Sequence, residues 1–390
     1  MLARLRFPVE RSRGRRYPEP DHPYRNAFQR DRDRIVHSRA FRRLEAKTQV
    51  FAPDLSDHFR NRLTHTIEVA QITRTVTTVL ELDENLAEAL ALAHDIGHPP
   101  FAHAGEEELN RQMARFHDTF DHNLHALRIV ERFEQRYARF PGLNLSFEVR
   151  EGIVKHSRDF GPGEMPEGDA YLPGLRPPLE AQLIDLADEI AYNTADLDDG
   201  YSAGMIEPEE IATAVAGYAR ILEAVETQFP GATPRERFHE CLRQLIDSLV
   251  SGLIEGTAAR AAESGARDLE DLRALPARIA AFTPDAAAAS AALKRFLYAR
   301  VYSSPALAED RHRSMAMVAE LFAWFLADPG RLPEAYSAQA RSQAPHRVVC
   351  DYIAGMTDSF FRRIYERNIA TLAPCPGGAG AAAPKSPVAG

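Results

Sequence analysis

Apolar residues recur at intervals of three and four along most of the chain, the spacing that places side chains on one face of an α-helix. The spacing is clearest after Asp83, where Leu86, Ala89, Leu90 and Ala93 follow as i, i+3, i+4 and i+7. Asp83 is itself of a residue type that commonly caps a helix N-terminus. Strict alternation of apolar and polar residues, which would predict strands, is scarce. The pattern therefore predicts an all-α fold.

Other segments show the helical spacing less cleanly. In residues 59–80, Leu63, Ile67 and Ala70 are predicted to face inward, although the β-branched run ITRTVTTV would also suit a strand. The helical assignment of this segment depends on its length and on its neighbours. The remaining predicted helices around the candidate chemistry and near the C-terminus cover residues 122–133, 147–157, 179–199 and 346–370.

Changes in composition divide the chain into four parts. Residues 1–24 are rich in Arg and Pro and are predicted to form a basic, flexible N-terminal arm. Residues 25–205 contain the candidate chemistry and are predicted to form the core of the molecule. Residues 206–372 are predicted to be a helical C-terminal part packed on that core, and residues 373–390 a disordered tail.

Composition places the chain among ordinary globular proteins. Of its 390 residues, 45% are hydrophobic and 26% are charged. No apolar run approaches the length of a membrane span, and the N-terminus lacks the apolar core of a signal peptide. We therefore expect no membrane contact and a cytoplasmic location. The cysteines, Cys241, Cys350 and Cys375, lie far apart and are expected to be unpaired thiols.

The distribution of charge is uneven. Residues 1–50 contain 14 Lys and Arg against 6 Asp and Glu, although the whole chain carries a formal charge of −9. A basic segment on an acidic body suits contact with nucleic acid, with nucleotide phosphates or with the acidic surface of another subunit. A solvated arm without a partner explains the same charges equally well, so the sequence leaves the two explanations open.

The strongest chemical signal is the segment 90–106, LALAHDIGHPPFAHAGE. An apolar helix ends there in the dipeptide His94-Asp95, and a glycine followed by a Pro-Pro pair stops it. A second helix is predicted to begin near Phe101 and to present His103 and Glu106, three residues apart, on one face. Such a concentration of imidazoles and carboxylates between two helices predicts a metal-dependent active site.

A His-Asp dipeptide alone is a weak signal, because the chain contains a second one, His117-Asp118, in a polar segment where exposure explains it. Imidazole and carboxylate together suit Mn²⁺, Fe²⁺ or Zn²⁺ and, less well, Mg²⁺. Two adjacent ligands cannot hold a catalytic ion, so others must come from different helices. His65 and Asp188 are the best candidates by position.

Residues 179–199, LEAQLIDLADEIAYNTADLDD, have a polar stripe beside their apolar face. The stripe consists of Asp188, Tyr192 and Asp196 at i, i+4 and i+8. On spacing alone, a helix with one solvated side explains it better than a binding surface does.

Several motifs together resemble those of the HD-domain phosphohydrolases. RLTHTIEV, AHDIGHPPFAHAGE and LADEIAYNTADLDDG occur in that order, and AFRRLEAKTQVF and DYIAGMTDSF also resemble segments of the family. More narrowly, they resemble the deoxyguanosinetriphosphate triphosphohydrolase-like proteins over roughly residues 20–370. The resemblance implies a helical HD-domain bundle that binds a divalent metal ion. It also implies hydrolysis of a deoxynucleoside triphosphate (dNTP) to a deoxynucleoside and tripolyphosphate.

The resemblance also implies roles for individual residues. As metal ligands it implies His65, His94, Asp95 and Asp188. For in-line proton transfer it implies His103, oriented by Glu106. For phosphate contact it implies Arg62, His98 and His122, and around the deoxyribose Gln49, Tyr192 and Asp196. The sequence departs from the family pattern at Ala102, where glycine is common, and in the variant segment LEAKTQ.

Two alternatives to dNTP hydrolysis remain at this stage. An HD-domain enzyme could act on another nucleotide, such as a nucleoside monophosphate, a cyclic dinucleotide or an alarmone. A non-catalytic regulator could sense nucleotides at the site and bind single-stranded nucleic acid through the arginine-rich arm. Intact His103 and Glu106 favour catalysis, and the family precedent and the basic arm lead us to expect a homo-oligomer. The sequence does not disclose the preferred dNTP, the native metal or an allosteric nucleotide, nor whether His103 is the general acid or activates water.

Overall fold

The structure is a computed structural model, which describes residues 1–50 and 59–369. These residues form helices, turns and two isolated bridges but no strand, so the prediction of an all-α fold is confirmed. The predicted tail, residues 373–390, lies outside the described residues. No described helix combines the length and the apolar character needed to cross a membrane.

The α-helices of the described residues follow one another along the chain as α1 (Ala27–Val36), α2 (Arg39–Arg43), α3 (Arg62–Leu80), α4 (Glu84–Ala93), α5 (Ala102–Ala114), α6 (His122–Arg128), α7 (Phe147–Val154), α8 (Leu179–Ser202), α9 (Pro208–Ala214), α10 (Ala216–Gln228), α11 (Pro234–Glu263), α12 (Leu269–Ala274), α13 (Pro284–Leu297), α14 (Pro305–Ala327), α15 (Glu334–Ala340), α16 (Pro345–Ala354) and α17 (Asp358–Asn368).

The centre of the fold is formed by α3, α4 and α8, which pack against one another, with α1 against α4. The apolar face predicted for α4 is buried, and Asp83 caps the helix by accepting a hydrogen bond from the backbone N–H of Leu86. The inward face predicted for α3 is wrong at Ile67, whose side chain is 53% exposed. The helix turns His65 inward instead, together with Val69, Ile72 and Val76 on the same face.

The turn between α4 and α5 depends on close backbone contacts. A Cβ atom at Gly97 would lie 2.0 Å from the backbone oxygen of His122, so only glycine lets α6 approach this turn. Phe101 and Ala102 have φ angles of 63° and 51°, in the left-handed region that costs an L-residue energy. The strained angle at Ala102 explains why glycine suits this position.

The N-terminal segment, predicted from its composition to be a flexible arm, packs against the body of the molecule. Leu2, Leu5 and Phe7 are buried in the main core. Arg6 pairs with Asp83 and Arg16 with Glu131, at nitrogen–oxygen distances of 3.0 and 3.3 Å. The arginines are compensated by carboxylates of the body, because burial of the apolar residues brings the two together. The excess of positive charge therefore marks internal ion pairs.

Two hydrophobic cores organise the helices. The main core contains the N-terminal segment, α3, α4, α8, α11 and α13. The second core combines α5 with α14, α16 and α17 and includes Leu109, Phe322 and Phe361. The C-terminal helices thus divide between the cores, and α5 connects the second core to the turn that carries His94.

A buried carboxyl, Glu180, makes stability depend on pH. Its Oε1 accepts hydrogen bonds from the backbone N–H groups of Phe7 and Asp83, at 2.9 and 3.0 Å, while Oε2 is buried with no partner among the described residues. Burial raises the pKa of Glu180 from 4.5 to about 7, against the opposing effect of the two hydrogen bonds. The folded protein thus keeps a proton that the unfolded chain releases. Its free energy of unfolding must fall as the pH rises between these two values.

Replacing Glu180 by Gln keeps an oxygen for both backbone donors and removes the ionisation. We expect Glu180→Gln to be more stable than the unmodified protein near pH 8, by on the order of 1–3 kcal/mol, and about equal near pH 5. Urea unfolding at the two pH values measures the difference, with Glu366→Gln as the exposed control. A difference that does not change with pH would show that Glu180 titrates normally.

Candidate active site

Two histidines and an aspartate from three helices meet in the main core. His65 lies in the first turn of α3, His94 directly follows α4, and Asp188 lies near the middle of α8. His65 Nε2 lies 2.8 Å from Asp188 Oδ1, and His94 Nε2 lies 3.8 Å from the same oxygen. One candidate ligand atom of each residue lies within 4.8 Å of the other two, and both imidazoles are buried. The structure therefore brings together three of the four residues predicted as metal ligands.

The hydrogen bonding of His94 fits a metal ligand. Its Nδ1 lies 2.6 Å from the carbonyl oxygen of Ala91, a contact in which Nδ1–H donates. Nε2 then carries a lone pair, and it is buried with no hydrogen-bond partner among the described residues. Burial lowers the pKa of His94 despite the neighbouring carboxylates, so the ring is neutral, as metal binding requires. The residues present therefore fit a divalent transition-metal ion.

The fourth predicted ligand, Asp95, lies beside these three residues. Its Oδ1 is 3.5 Å from His94 Nε2 and 2.9 Å from His98 Nδ1, and its Oδ2 accepts a 2.7 Å hydrogen bond from Arg62. Burial opposes ionisation of Asp95, but the charge of Arg62, together with the hydrogen bond of His98, holds the pKa of Asp95 well below the usual range. Arg62 and His98, predicted as phosphate contacts, thus also hold Asp95 as a carboxylate next to His94.

A second polar group lies where α5 meets α6. Glu106 Oε1 accepts a 3.1 Å hydrogen bond from the backbone N–H of His122 and lies 2.7 Å from His122 Nδ1. Glu106 Oε2 lies 3.7 Å from Nδ1 of His103, whose side chain is 84% exposed. The ring of His98 packs on that of His122 with centroids 3.9 Å apart. Glu106 therefore contacts both histidines and holds His122 more closely than His103, the partner predicted from the sequence.

Two of the three residues predicted around the deoxyribose have partners that the sequence did not indicate. Asp196 accepts a hydrogen bond from the hydroxyl of Tyr302. Burial raises the pKa of Asp196 to about 7. The Nζ of Lys294 lies 5.6 Å from the ring centroid of Tyr192. Gln49 lies beside the start of α3, and its Oε1 is buried without a hydrogen-bond partner among the described residues.

Sequence reasoning missed His156 as a neighbour of the metal-type cluster. Its ring centroid lies 5.4 Å from that of His94, and its Nδ1 lies 2.7 Å from Asp185 Oδ1. Asp185 lies three residues before Asp188 on α8, so the spacing along the helix could have indicated it. Tyr302 gave no comparable signal, because it lies 106 residues after Asp196, beyond the reach of any helical pattern.

Comparison with protein families identifies two domains. Residues 62–193 match the HD domain, and residues 280–367 match the phosphohydrolase-associated domain. The first match contains all four predicted metal ligands. The second contains Lys294 and Tyr302, the residues that contact Tyr192 and Asp196.

Curated relatives resemble the chain over nearly its whole length. The deoxyguanosinetriphosphate triphosphohydrolase-like protein of Azoarcus sp. (strain BH72) is 46% identical over 360 residues, 92% of this chain and 94% of its own. Those of Geobacter sulfurreducens and Bordetella pertussis are each 44% identical, over 91% and 94% of this chain and 93% and 96% of their own. An HD-domain match over the polar clusters, with this identity, confirms the predicted resemblance. The chain belongs to the deoxyguanosinetriphosphate triphosphohydrolase-like family of HD-domain phosphohydrolases.

Proposed function

We propose that the protein hydrolyses a deoxynucleoside triphosphate, in a metal-dependent reaction, to a deoxynucleoside and inorganic tripolyphosphate. The observation that carries the proposal is the convergence of His65, His94 and Asp188 on one point. The imidazoles and carboxylate around Glu106 adjoin this cluster through Asp95 and His98. The names of the curated relatives support the choice of a nucleoside triphosphate as substrate.

A divalent ion held by His65, His94, Asp95 and Asp188 would supply positive charge to the α-phosphate and lower the pKa of a bound water. The donor set of two imidazoles and two carboxylates suits Mn²⁺, Fe²⁺ or Zn²⁺, and Mg²⁺ less well.

The side chains next to the metal-type cluster bind the phosphates in this proposal. Arg62 is buried beside Asp95, and its Nε has no hydrogen-bond partner among the described residues. His98 is buried, and burial together with Arg62 lowers its pKa well below the usual range, so it acts as a neutral hydrogen-bond donor. His122, held by Glu106, adds a third donor on the same side. Together they offset the charge that accumulates on the phosphoryl oxygens in the transition state.

Loss of the deoxynucleoside requires a proton on the departing 5′-oxygen. His103 is exposed, has no closer ion-pair partner than Glu106 in the described part of the chain, and can therefore reach a substrate oxygen. We assign it the role of general acid that protonates this oxygen while water attacks the α-phosphorus. In the alternative, His103 takes a proton from the attacking water. The carboxylate of Glu106 stabilises the protonated imidazole in either role.

Discrimination against ribonucleotides tests the sugar part of the proposal. Tyr192 lies one helical turn after Asp188 and Asp196 one turn further, so a sugar attached to the α-phosphate lies beside them. A 2′-hydroxyl placed against the Tyr192 ring would lose its hydrogen bonds. We expect dNTPs to be hydrolysed at least ~10-fold faster than the matching NTPs, measured as kcat/KM. Tyr192→Ala should narrow the difference and Tyr192→Phe, which keeps the ring, should not.

Equal rates on dGTP and GTP by the unmodified protein would contradict the sugar contact. The function itself is tested by incubating the metal-loaded protein with each dNTP and separating the products by chromatography. We expect deoxynucleoside and tripolyphosphate in equal amounts. Release of phosphate or diphosphate, or activity confined to a nucleoside monophosphate, a cyclic dinucleotide or an alarmone, would assign the site to a different phosphohydrolase reaction.

A further inference from the structure

The segment 351–360, DYIAGMTDSF, joins α16 to α17 and lies far from the metal-type cluster in the sequence. It resembles a segment of the family, yet the proposed reaction gives no role to its side chains. The structure places Asp358, the first residue of α17, against the turn between α4 and α5. Its contacts with this turn connect the C-terminal part of the chain to the candidate active site.

The buried carboxylate of Asp358 binds backbone groups from two separate segments. Its Oδ1 accepts a 3.1 Å hydrogen bond from the N–H of Phe101, and its Oδ2 accepts a 2.8 Å hydrogen bond from the N–H of Thr48. Phe101 lies two residues before His103, and Thr48 directly precedes Gln49. One carboxylate thus connects the segment of the proposed general acid to the segment of a predicted sugar contact.

The side chain of Phe101 is held by the same helix. Its ring centroid lies 5.0 Å from that of Phe361 on α17, and the two ring planes meet at 81°. The guanidinium of Arg362 lies 5.1 Å from the ring centroid of Phe101. Edge-to-face and cation–π contacts of this kind favour one orientation of the ring. The helix α17 therefore holds Phe101 through both its backbone and its ring.

These contacts meet a backbone that needs support. Phe101 has φ 63° and ψ 31°, and Ala102 has φ 51°, so two successive L-residues occupy the left-handed region. Crowding of Cβ against the carbonyl oxygen makes this conformation unfavourable, and it persists only where neighbouring groups hold it. Phe101 is also the N-cap of α5 and has no side-chain oxygen to accept a hydrogen bond from that helix. The start of α5 therefore depends on contacts from outside.

Lys47 supplies a second connection between the segment 351–360 and the turn. The Nζ of this buried residue donates hydrogen bonds to the carbonyl oxygen of His98 and to that of Ala354, the last residue of α16. The turn is thus bound at its start, through His98, and at its end, through Phe101. Contacts at both ends restrict the position of the helix that follows.

We propose that Asp358 is a positioning residue, which determines where His103 lies relative to the substrate by holding the backbone of Phe101. Through Thr48 it also fixes the segment of Gln49. Proton transfer depends steeply on the placement of the acid, so a small displacement of His103 slows the chemical step. The role of His103 rests on the proposed function, whereas the hydrogen bonds made by Asp358 do not.

Asp358→Asn keeps the shape of the side chain but has one oxygen, so one of the two backbone donors loses its acceptor. We expect kcat for dGTP to fall about tenfold or more, with a smaller change in KM. Metal content should stay complete, because the predicted ligands lie on α3, on α8 and at the end of α4. The matched control is Thr357→Ala, which removes the hydroxyl that caps α17 by accepting a hydrogen bond from the N–H of Phe360. It weakens the helix but keeps both hydrogen bonds of Asp358, so its kcat should remain near-normal.

Amide hydrogen exchange, measured by mass spectrometry on the full-length, metal-loaded protein, gives a result that does not depend on the substrate. Asp358→Asn should speed exchange in peptides that cover residues 97–104, whereas Thr357→Ala should speed it only in α17. The proposal is wrong if Asp358→Asn leaves exchange in residues 97–104 unchanged, or leaves kcat within about twofold of the unmodified protein. If exchange changes as expected but no dNTP is hydrolysed, Asp358 still holds the turn and the proposed function fails instead.

A double-mutant cycle tests how Asp358 acts. Glycine adopts positive φ angles without strain, so Ala102→Gly should make the turn less dependent on outside contacts. We expect Asp358→Asn to lower kcat by a smaller factor in an Ala102→Gly background than in the unmodified protein. An equal loss in both backgrounds would show that Asp358 does not act by holding the strained turn, and would overturn the proposal.

Discussion

Replacing Asp188 by alanine is expected to remove bound metal and activity together. Its Oδ1 lies close to both imidazoles of the cluster, at 2.8 Å from His65 and 3.8 Å from His94. Burial opposes ionisation of Asp188, but the hydrogen bond and charge of His65 hold its pKa below the usual range, so a carboxylate is present to bind a cation. Loss of this ligand should lower metal affinity and kcat each by at least ~10²-fold.

Metal content of the purified variant, measured by plasma mass spectrometry, is the primary observation. The second His-Asp dipeptide of the chain provides the control, because Asp118 pairs with Arg347 at a partly exposed position. Asp118→Ala should retain the full metal content and near-normal turnover. An Asp188→Ala protein that is folded and carries as much metal as the unmodified protein would remove Asp188 from the ligand set.

Replacing His103 by alanine is expected to separate chemistry from binding. The side chain is 84% exposed and, among the carboxylates of the described residues, contacts only Glu106, so its loss should leave the fold and the metal in place. If it protonates the leaving 5′-oxygen, kcat should fall by about 10²- to 10⁴-fold with little change in the affinity for dNTP. Single-turnover kinetics with saturating enzyme measures the chemical step directly.

His37→Ala, at an exposed residue that follows α1, is the matched control and should retain full activity. His122→Ala is the informative comparison, because Glu106 holds His122 more closely than His103. We expect His122→Ala to weaken dNTP binding more than it slows chemistry. The opposite result, in which His122→Ala abolishes turnover and His103→Ala does not, would transfer the general-acid role to His122.

The sequence was sufficient to predict the position of a residue where a single helix determines that position. The burial of Leu86, Leu90 and Ala93 follows from their spacing on α4, and so does the placement of His94 at the end of that helix. Asp83 also caps α4 as its residue type predicts. Local spacing is enough in these cases because the helix geometry relates each residue to its neighbours.

The sequence was insufficient to predict a contact where the two residues in contact come from distant segments of the chain. The N-terminal arginines look like a solvated arm until Asp83 and Glu131 are seen beside Arg6 and Arg16 in the fold. On α3, hydrophobicity alone favours an inward Ile67. The polar cluster at the centre of the fold instead requires that His65 face inward. Contacts between groups far apart in the sequence leave no periodic signal, so charge and hydrophobicity predict them poorly.

A contact with a distant segment also explains why the sequence did not predict the environment of the polar stripe of α8. Its spacing alone favoured a solvated side, whereas Asp196 is 2% exposed and accepts a hydrogen bond from Tyr302. Tyr302, in the helical turn after α13, covers Asp196 from the C-terminal part, and α13 itself packs against α8. Only the resemblance to a family indicated that these residues belong to a site.

Isotope labelling of the products tests the central claim most directly. The metal-loaded protein is allowed to hydrolyse dGTP in water enriched in ¹⁸O, and both products are analysed by mass spectrometry. If water attacks the α-phosphorus and the 5′-oxygen leaves, one ¹⁸O atom appears in tripolyphosphate and the deoxyguanosine is unlabelled. Labelled deoxyguanosine would place the attack on the 5′-carbon, and formation of dGMP and diphosphate would show that the enzyme cleaves a different bond.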